Sequence, residues 1–225
     1  MFAVQNKGEI KKKQQELKDR GFYTGKVDGI WGPLSEAAMV AARGEKVVSP
    51  PFDTTRIIWA KKVDRAFIIR VRDIAVALEM PTEGANWLMA CMAFETGETF
   101  SPTIKNGAGA PYYGLIQFGD AAAKDAGTTV EALLKMTALE QLEYVYNFFK
   151  PYKGKLKTLS DCYMRILWPA AVGKPETHVI FDQKVRPTAY VQNKGLDINK
   201  DGVVTKAECA AKVQQKYERG AQFIL

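Results

Sequence analysis

The chain has 225 residues, 47% of them hydrophobic, and a formal net charge of +7. This length accommodates one large domain, or a small domain beside a medium one, with a buried core in either case. No run of about eighteen apolar residues occurs, so we expect no membrane-spanning helix and no stable membrane anchoring.

The positive charge favours an anionic partner. No basic block contains interleaved aromatic residues, however, and Lys11, Lys12 and Lys13 are typical of a solvated helix face, so we expect no nucleic-acid binding. The N-terminal sequence MFAVQNKGEIKKK has neither an apolar signal core nor a small-residue cleavage site. We therefore expect the protein to be made in a cytoplasm and to stay there until it is released.

Residues 1–45 predict a very small helical module. Residues 8–20 form a polar helix anchored by Ile10 and Leu17, and a glycine-rich loop connects it to a second helix over residues 34–42. The loop carries three aromatic residues that either face sugar rings or form the core of the module: Phe22, Tyr23 and Trp31.

The pattern of this module resembles the helical peptidoglycan-binding domain found at one end of many wall hydrolases. The residues that carry the resemblance are Leu17, Gly21-Phe22-Tyr23, Gly25, Val27-Asp28-Gly29, Trp31-Gly32-Pro33, Ser35 and Ala38. The resemblance implies that the module binds peptidoglycan, and we assign substrate binding to Phe22, Tyr23, Asp28 and Trp31.

A domain boundary is predicted over residues 46–56, which are polar and contain Pro50-Pro51, as expected of a semi-rigid linker. Residues 57–225 then form a second domain. Apolar residues recur at helical spacing over residues 57–80, and Pro81 ends this predicted helix. Thr82 or Glu83 can begin the next one.

That next helix is apolar on every face from Trp87 to Phe94, so it must be buried all round, and it ends at Glu95. Burial and the unsatisfied carbonyls at a helix C-terminus should both raise the pKa of this carboxyl. A carboxyl that keeps its proton near neutral pH can protonate a glycosidic oxygen. The alternative is that Glu95 is a solvated boundary residue followed by an ordinary helix stop at Thr96-Gly97.

A glycine-rich loop follows over residues 106–111, and Gly114-Leu115-Ile116-Gln117 then returns to apolar residues with one amide. An acid after a buried helix, a glycine-rich loop and Gly-Leu-Ile-Gln together resemble the active-site pattern of the lytic transglycosylase and goose-type lysozyme-like family. Thr96 departs from the serine that more often follows the acid there.

The resemblance implies roles for further residues. Glu95 is expected to be the general acid, supported by Thr96, while Gln117 and Tyr163 hold the sugars or the developing oxocarbenium ion. Glu98 is the nearest candidate in sequence for a second carboxylate. Additional substrate-binding residues of this stretch are Asn106, Tyr113 and Gly114.

The remaining sequence predicts further helices and little strand, so the fold class is expected to be mainly α, and the resemblance implies a lysozyme-like helical domain. Capping boxes are predicted at Thr128–Glu131 and Thr137–Glu140, and Thr158 is predicted to begin another helix.

The three cysteines are odd in number and far apart, which favours buried reduced thiols. A single histidine, His178, argues against zinc amidases, zinc peptidases and Cys-His peptidases.

The segment from residue 197 to residue 208 fits the calcium-binding loop of an EF-hand at every fixed position. Its candidate ligands are Asp197, Asn199, Asp201, the Val203 carbonyl and Glu208, with Gly202 at the sharp turn. Pro187 and Gly195 predict that no full entering helix precedes the loop, so a bound Ca²⁺ would be structural. Alternatively, Thr205–Glu208 is only a capping box and Asn-Lys-Asp-Gly only a turn.

Together these features resemble a modular phage endolysin that acts on peptidoglycan as a monomer, in the host cytoplasm until release and then in the periplasm or cell wall. We expect cleavage of the β-1,4 bond between N-acetylmuramic acid and N-acetylglucosamine, without a cofactor for catalysis. The lytic transglycosylase route to a 1,6-anhydro product is favoured over hydrolysis. A non-catalytic wall-binding protein and a calcium-regulated interaction protein are the competing hypotheses.

Overall fold

The computed structural model describes residues 7–23, 25, 27, 29, 31, 35, 38–39, 42–43, 56–107 and 109–225. The chain divides into two compact units, residues 1–53 and residues 54–225, and the boundary falls within the predicted linker. Over the described residues the fold is mainly α, which confirms the predicted fold class. Within those residues, no helix is both long enough and apolar enough to cross a membrane.

The described helices are α1 (Lys7–Asp19), α2 (Arg65–Ala77), α3 (Gly84–Glu95), α4 (Asp120–Asp125), α5 (Val130–Leu133), α6 (Ala138–Phe149), α7 (Leu159–Leu167), α8 (Pro187–Asn193) and α9 (Lys206–Gly220). Strands β1 (Val179–Asp182) and β2 (Val203–Thr205) pair antiparallel, with Phe181 opposite Val204.

A buried polar residue holds the first unit together. Leu17 of α1 packs with Tyr23 and Ala38 in a small core, and the described residues near Ala38 are helical, as predicted. The Gln14 side chain is fully buried beside them. Its Nε2 donates to the Tyr23 hydroxyl and the Ser35 hydroxyl, and its Oε1 accepts from the backbone N–H of Gly29.

Helix α3 forms the centre of the second unit and packs against α2, α7 and α9. Six consecutive residues of α3, from Leu88 to Ala93, are almost completely buried, which agrees with the absence of a polar face in the sequence. Two buried ion pairs join other helices of the second unit to one another. Arg70 of α2 pairs with Glu143 of α6, and Asp161 of α7 pairs with Lys206 of α9 at 2.6 Å.

Two predicted helix starts are wrong. The segment predicted as one helix over residues 57–80 begins its α-helix only at Arg65, because the Asp64 side chain accepts a hydrogen bond from the Phe67 N–H and caps it there. Farther along, Thr129 rather than Thr128 is the N-cap of α5. The capping box at Thr137 is confirmed, and so is the helix start at Thr158.

Candidate functional site

Glu95 is the last residue of α3 and is half-buried at the edge of the core. Among the described residues its carboxyl has no hydrogen-bond or ion-pair partner. Burial therefore raises its pKa to about 8, since no nearby cation or donor compensates the charged form. At neutral pH this side chain is a protonated carboxylic acid that can give up its proton to a bound molecule.

Tyr163 of α7 lies beside Glu95. Its ring meets the Phe94 ring edge to face, with centroids 5.5 Å apart. Burial, and after it the negative charge of Glu95, raises the pKa of the Tyr163 hydroxyl well above its ordinary value. The hydroxyl thus stays protonated near the acid and can act as a hydrogen-bond donor.

Thr96 acts on the backbone rather than on the Glu95 carboxyl. Its hydroxyl donates to the Met92 carbonyl at 2.7 Å and accepts from the Phe100 N–H at 3.0 Å. The residue is fully buried and ends the helix, with the chain turning sharply after it. Its support for Glu95 therefore comes from fixing the helix end that presents the carboxyl.

Glu98 has the opposite environment. Its carboxylate forms ion pairs with Lys216 and Arg219, both from α9. The Lys216 Nζ lies 2.5 Å and the Arg219 Nε 3.0 Å from a carboxylate oxygen. Partial burial alone would raise the pKa of Glu98, but the hydrogen bonds and charges of the two cations outweigh burial and lower it. Glu98 is thus an ionised carboxylate already engaged by two cations.

The Gly114–Gln117 segment is held as a tight turn. Gln117 has a φ of 54° and its Nε2 donates to the carbonyls of Ile104 and Gly114. Its Oε1 is buried and accepts no hydrogen bond from the part of the chain that the structure describes. A buried acceptor without a donor costs about 1–3 kcal/mol, so a ligand donor placed there would be favourable.

Sequence reasoning missed the residue that anchors this turn. Gln141 of α6 is fully buried, accepts a hydrogen bond from the Leu115 N–H, and donates to the Pro102 and Leu133 carbonyls. The sequence feature that could have indicated Gln141 is an amide side chain among the apolar residues of α6, one turn before Val145. A polar residue at such a position must find partners, and here the partners are the backbone of the turn.

Other predicted ligand contacts lie in the same region. Tyr113 bridges Lys105 and Phe118 in two isolated antiparallel pairs, and the Asn106 N–H donates to the Tyr112 carbonyl. A cavity of about 240 Å³ opens beside Gln117. Its lining also includes Tyr112, Asp120 and Phe148. Glu95 is not part of this lining.

The chain matches no family model, no curated protein and no solved structure. Its function must therefore be argued from the site itself.

The four residues assigned to ligand binding in the first unit differ in exposure. Tyr23 belongs to the core and Trp31 packs against it, so their rings serve the fold. Phe22 is 40% exposed, with the Arg20 guanidinium over its ring at 5.2 Å, and remains available for a ligand. Asp28 lies outside the described residues.

All three cysteines are buried and unbridged, as predicted. The Cys91 and Cys162 sulfurs lie 3.8 Å apart between α3 and α7. Burial raises the pKa of Cys209 to about 12 and that of Cys91 well above its ordinary value, so these two thiols stay protonated and are poor nucleophiles.

The predicted calcium loop adopts a compact turn between α8 and α9. As predicted, no full entering helix precedes it, because α8 is only seven residues long, with Pro187 as its first residue. The alternative capping box is also present, since Glu208 Oε2 accepts from the Thr205 N–H and hydroxyl. In this conformation, no three His, Cys, Asp or Glu side chains in the described part are gathered closely enough to hold a metal ion.

Proposed function

We propose that this protein is a phage endolysin that cleaves the β-1,4 bond between N-acetylmuramic acid and N-acetylglucosamine in peptidoglycan. The observation that carries the proposal is Glu95, a half-buried carboxyl without a partner in the described part of the chain, whose pKa is about 8. Cleaving a glycosidic bond requires an acid that is still protonated at the working pH. Glu95 would protonate the leaving oxygen of the N-acetylglucosamine unit.

Two further side chains would assist this step. The Tyr163 hydroxyl, kept neutral by burial, would donate a hydrogen bond to the sugar near the acid. The unpaired Oε1 of Gln117 would accept a hydrogen bond from a sugar hydroxyl or acetamido N–H. Tyr163 would steady the developing oxocarbenium ion beside Glu95, while Gln117, which lines the cavity that Glu95 does not line, would hold another part of the sugar chain.

The ion pairs of Glu98 bear on what attacks the sugar after the glycosidic bond breaks. An inverting hydrolase needs a second carboxylate to activate water, and the acid nearest to Glu95 in sequence is occupied by Lys216 and Arg219. This favours the non-hydrolytic route. The C6 hydroxyl of the muramic sugar would attack its own C1 and return a proton to the Glu95 carboxylate, which leaves a 1,6-anhydro product and consumes no water.

The first unit would hold the enzyme on its polymeric substrate, with the exposed Phe22 ring as a sugar-facing surface. The net charge of +7 suits a wall polymer that bears carboxylates. The proposed setting is the host cytoplasm until release and the periplasm or cell wall afterwards, with the protein acting as a monomer and requiring no cofactor for the chemistry.

The test compares the wild type with Glu95→Gln and Glu131→Gln on purified peptidoglycan. Glu131→Gln makes the same chemical change at an exposed acid on another helix, whose side chain is 82% exposed. We expect Glu95→Gln to release fragments about 100- to 10,000-fold more slowly, the usual contribution of general acid catalysis. The control variant should keep the wild-type rate.

Mass spectrometry of the released fragments identifies the route, because hydrolysis adds one water and anhydro formation adds none. Fragments that carry the added water would favour a hydrolytic muramidase instead. A Glu95→Gln variant that clears peptidoglycan at the wild-type rate would refute Glu95 as the acid. If the wild type sediments with peptidoglycan yet releases nothing, the protein is a wall-binding protein.

A further inference from the structure

The loop between α8 and α9 contains a buried carboxylate oxygen that accepts no hydrogen bond from any residue the structure describes. Asp197 is only 8% exposed. Its Oδ2 accepts hydrogen bonds from the Tyr190 hydroxyl at 2.6 Å and the Gly202 N–H at 3.0 Å, whereas its Oδ1 is buried without any hydrogen-bond partner. Leaving a carboxylate oxygen unsatisfied in a buried position is costly, and a cation bound at the loop would remove that cost.

We propose that residues 197–208 bind one Ca²⁺, with the free Oδ1 of Asp197 as the first ligand, and that this ion stabilises the second unit. The site does not depend on the proposed enzymatic activity. Its other oxygen donors are the side chains of Asn199, Asp201 and Glu208 and the carbonyl of Val203.

The position of Glu208 supports closure of the loop around an ion. Its Oε1 accepts a hydrogen bond from the Ile198 N–H at 3.3 Å, so the carboxylate already reaches across to the residue that follows Asp197. Its Oε2 meanwhile caps α9 through Thr205. In the described conformation no three His, Cys, Asp or Glu side chains are close enough to hold a metal ion, so binding requires this carboxylate to turn from the cap towards the loop.

The donor set selects the class of ion. All the candidate ligands are oxygens, which hard cations prefer, and the Cys209 side chain next to Glu208 is fully buried in the core. Ca²⁺ accepts six to eight oxygens in flexible geometry, whereas Mg²⁺ demands a near-ideal octahedron. A loop whose last ligand must change its rotamer therefore suits Ca²⁺ better than Mg²⁺.

Helix α9 would carry the effect into the second unit. It begins beside the loop and packs against α3 and α7. It also supplies Lys206, which pairs with Asp161 at 2.6 Å, and Lys216, which pairs with Glu98. An ion that fixes the first turn of α9 would hold these contacts and raise the melting temperature.

The first experiment measures thermal unfolding of the full chain in chelator and in millimolar CaCl₂. At a hundred-fold excess over Kd we expect Ca²⁺ to raise the Tm of the wild type by about 5–10 °C. In Glu208→Gln the shift should fall below about 1 °C, while its Tm in chelator stays close to that of the wild type, because glutamine also completes a capping box. Glu218→Gln, at the other end of α9, is the matched control and should keep the full shift.

The second experiment uses Tb³⁺, whose luminescence is sensitised by a nearby tyrosine. The Tyr190 hydroxyl contacts Asp197, so excitation of tyrosine should produce Tb³⁺ emission that excess Ca²⁺ abolishes. Tyr190→Phe should lose most of the emission yet keep the Ca²⁺-dependent Tm shift. Emission that persists unchanged in Tyr190→Phe would place the ion elsewhere and overturn the assignment.

Two outcomes overturn the proposal directly. One is a wild-type Tm that millimolar Ca²⁺ leaves unchanged, together with no sensitised Tb³⁺ emission. The other is a full Ca²⁺ shift in Glu208→Gln. If that variant does not fold, Asp201→Asn replaces it, because an asparagine oxygen can still accept from the Val203 N–H while the ligand charge is lost. A full Ca²⁺ shift in Asp201→Asn would count against the site in the same way.

Discussion

Glu95 and Glu98 are three positions apart in the chain, yet their surroundings give them opposite properties. Glu95 ends a buried helix, has no partner among the described residues, and has its pKa raised to about 8 by burial. Glu98 lies in the following turn with a φ of 71°, and Lys216 and Arg219 lower its pKa. One carboxyl is a proton donor at neutral pH, and the other is a fixed negative charge.

The contrast shows that a carboxyl's function depends on what the rest of the fold brings to it. The sharp turn after Thr96 points the two side chains to different neighbours. Helix α9 supplies two cations to Glu98 and none to Glu95 in the described structure. A protein that needed only solubility or an ion pair would gain nothing from leaving Glu95 without a partner in a partly buried position, where its charged form is destabilised.

The pH dependence of activity is the test of the difference between Glu95 and Glu98 with the largest expected effect. Since Glu95 must be protonated to act, kcat/KM should be level below pH 8 and fall about ten-fold per unit above it, or about 100-fold by pH 10. The measurement is fragment release from purified peptidoglycan across pH 6–10, with circular dichroism confirming that the protein stays folded. The midpoint should be the same in Glu98→Gln, because that residue is already ionised. Activity that already falls about ten-fold per unit from pH 6, with no level region below pH 8, would mean that the raised pKa of Glu95 does not control the reaction.

The stability of Glu95→Gln is a second test. The folded state holds a proton on Glu95 up to about pH 8, whereas the unfolded chain releases it near 4.5. The stability of the wild type therefore falls as pH rises through this window, and glutamine removes the loss. Allowing for partial exposure, we expect Glu95→Gln to be more stable by about 2 kcal/mol at pH 9 and equal at pH 4. Urea unfolding at the two pH values measures the difference, and equal stabilities at pH 9 would contradict a buried, uncompensated carboxyl.

The sequence was sufficient to predict the position of Glu95 but not that of Glu98. An apolar segment without a polar face must be buried, so the first acid after it lies at the edge of the core. The partners of Glu98 are 118 and 121 residues away along the chain, and no local pattern indicates them. Gln141 was missed for the same reason, because its hydrogen bonds to Leu115 and Pro102 depend on tertiary packing.

Local sequence patterns are ambiguous where one residue type is compatible with two local structures. Pro187 predicts that no full entering helix precedes the EF-hand-like loop. Helix α8 is indeed only seven residues long, yet it begins at this proline, because proline at the first position of a helix loses no hydrogen bond. The capping box predicted at Thr128 is wrong, because the neighbouring Thr129 is the N-cap of α5. Tyr23 looked equally suited to a sugar or to a core, and burial of its ring decides for the core.

The smallest predicted effect concerns the other side of the comparison, the ion pairs of Glu98. Glu98→Gln should cost about 1 kcal/mol and lower the Tm by about 2–4 °C, since the side chains of Arg219 and Lys216 are partly exposed and solvent screens them. The pKa of Glu98 is lowered in the folded state, so this stabilisation is present above about pH 4.5 and disappears as pH falls through the folded value. Thermal unfolding at pH 7 and at pH 3 measures both parts, with Glu218→Gln as the control on the same helix. A difference from wild type that is as large at pH 3 as at pH 7 would mean that Glu98 stabilises the turn through packing and not through its charge.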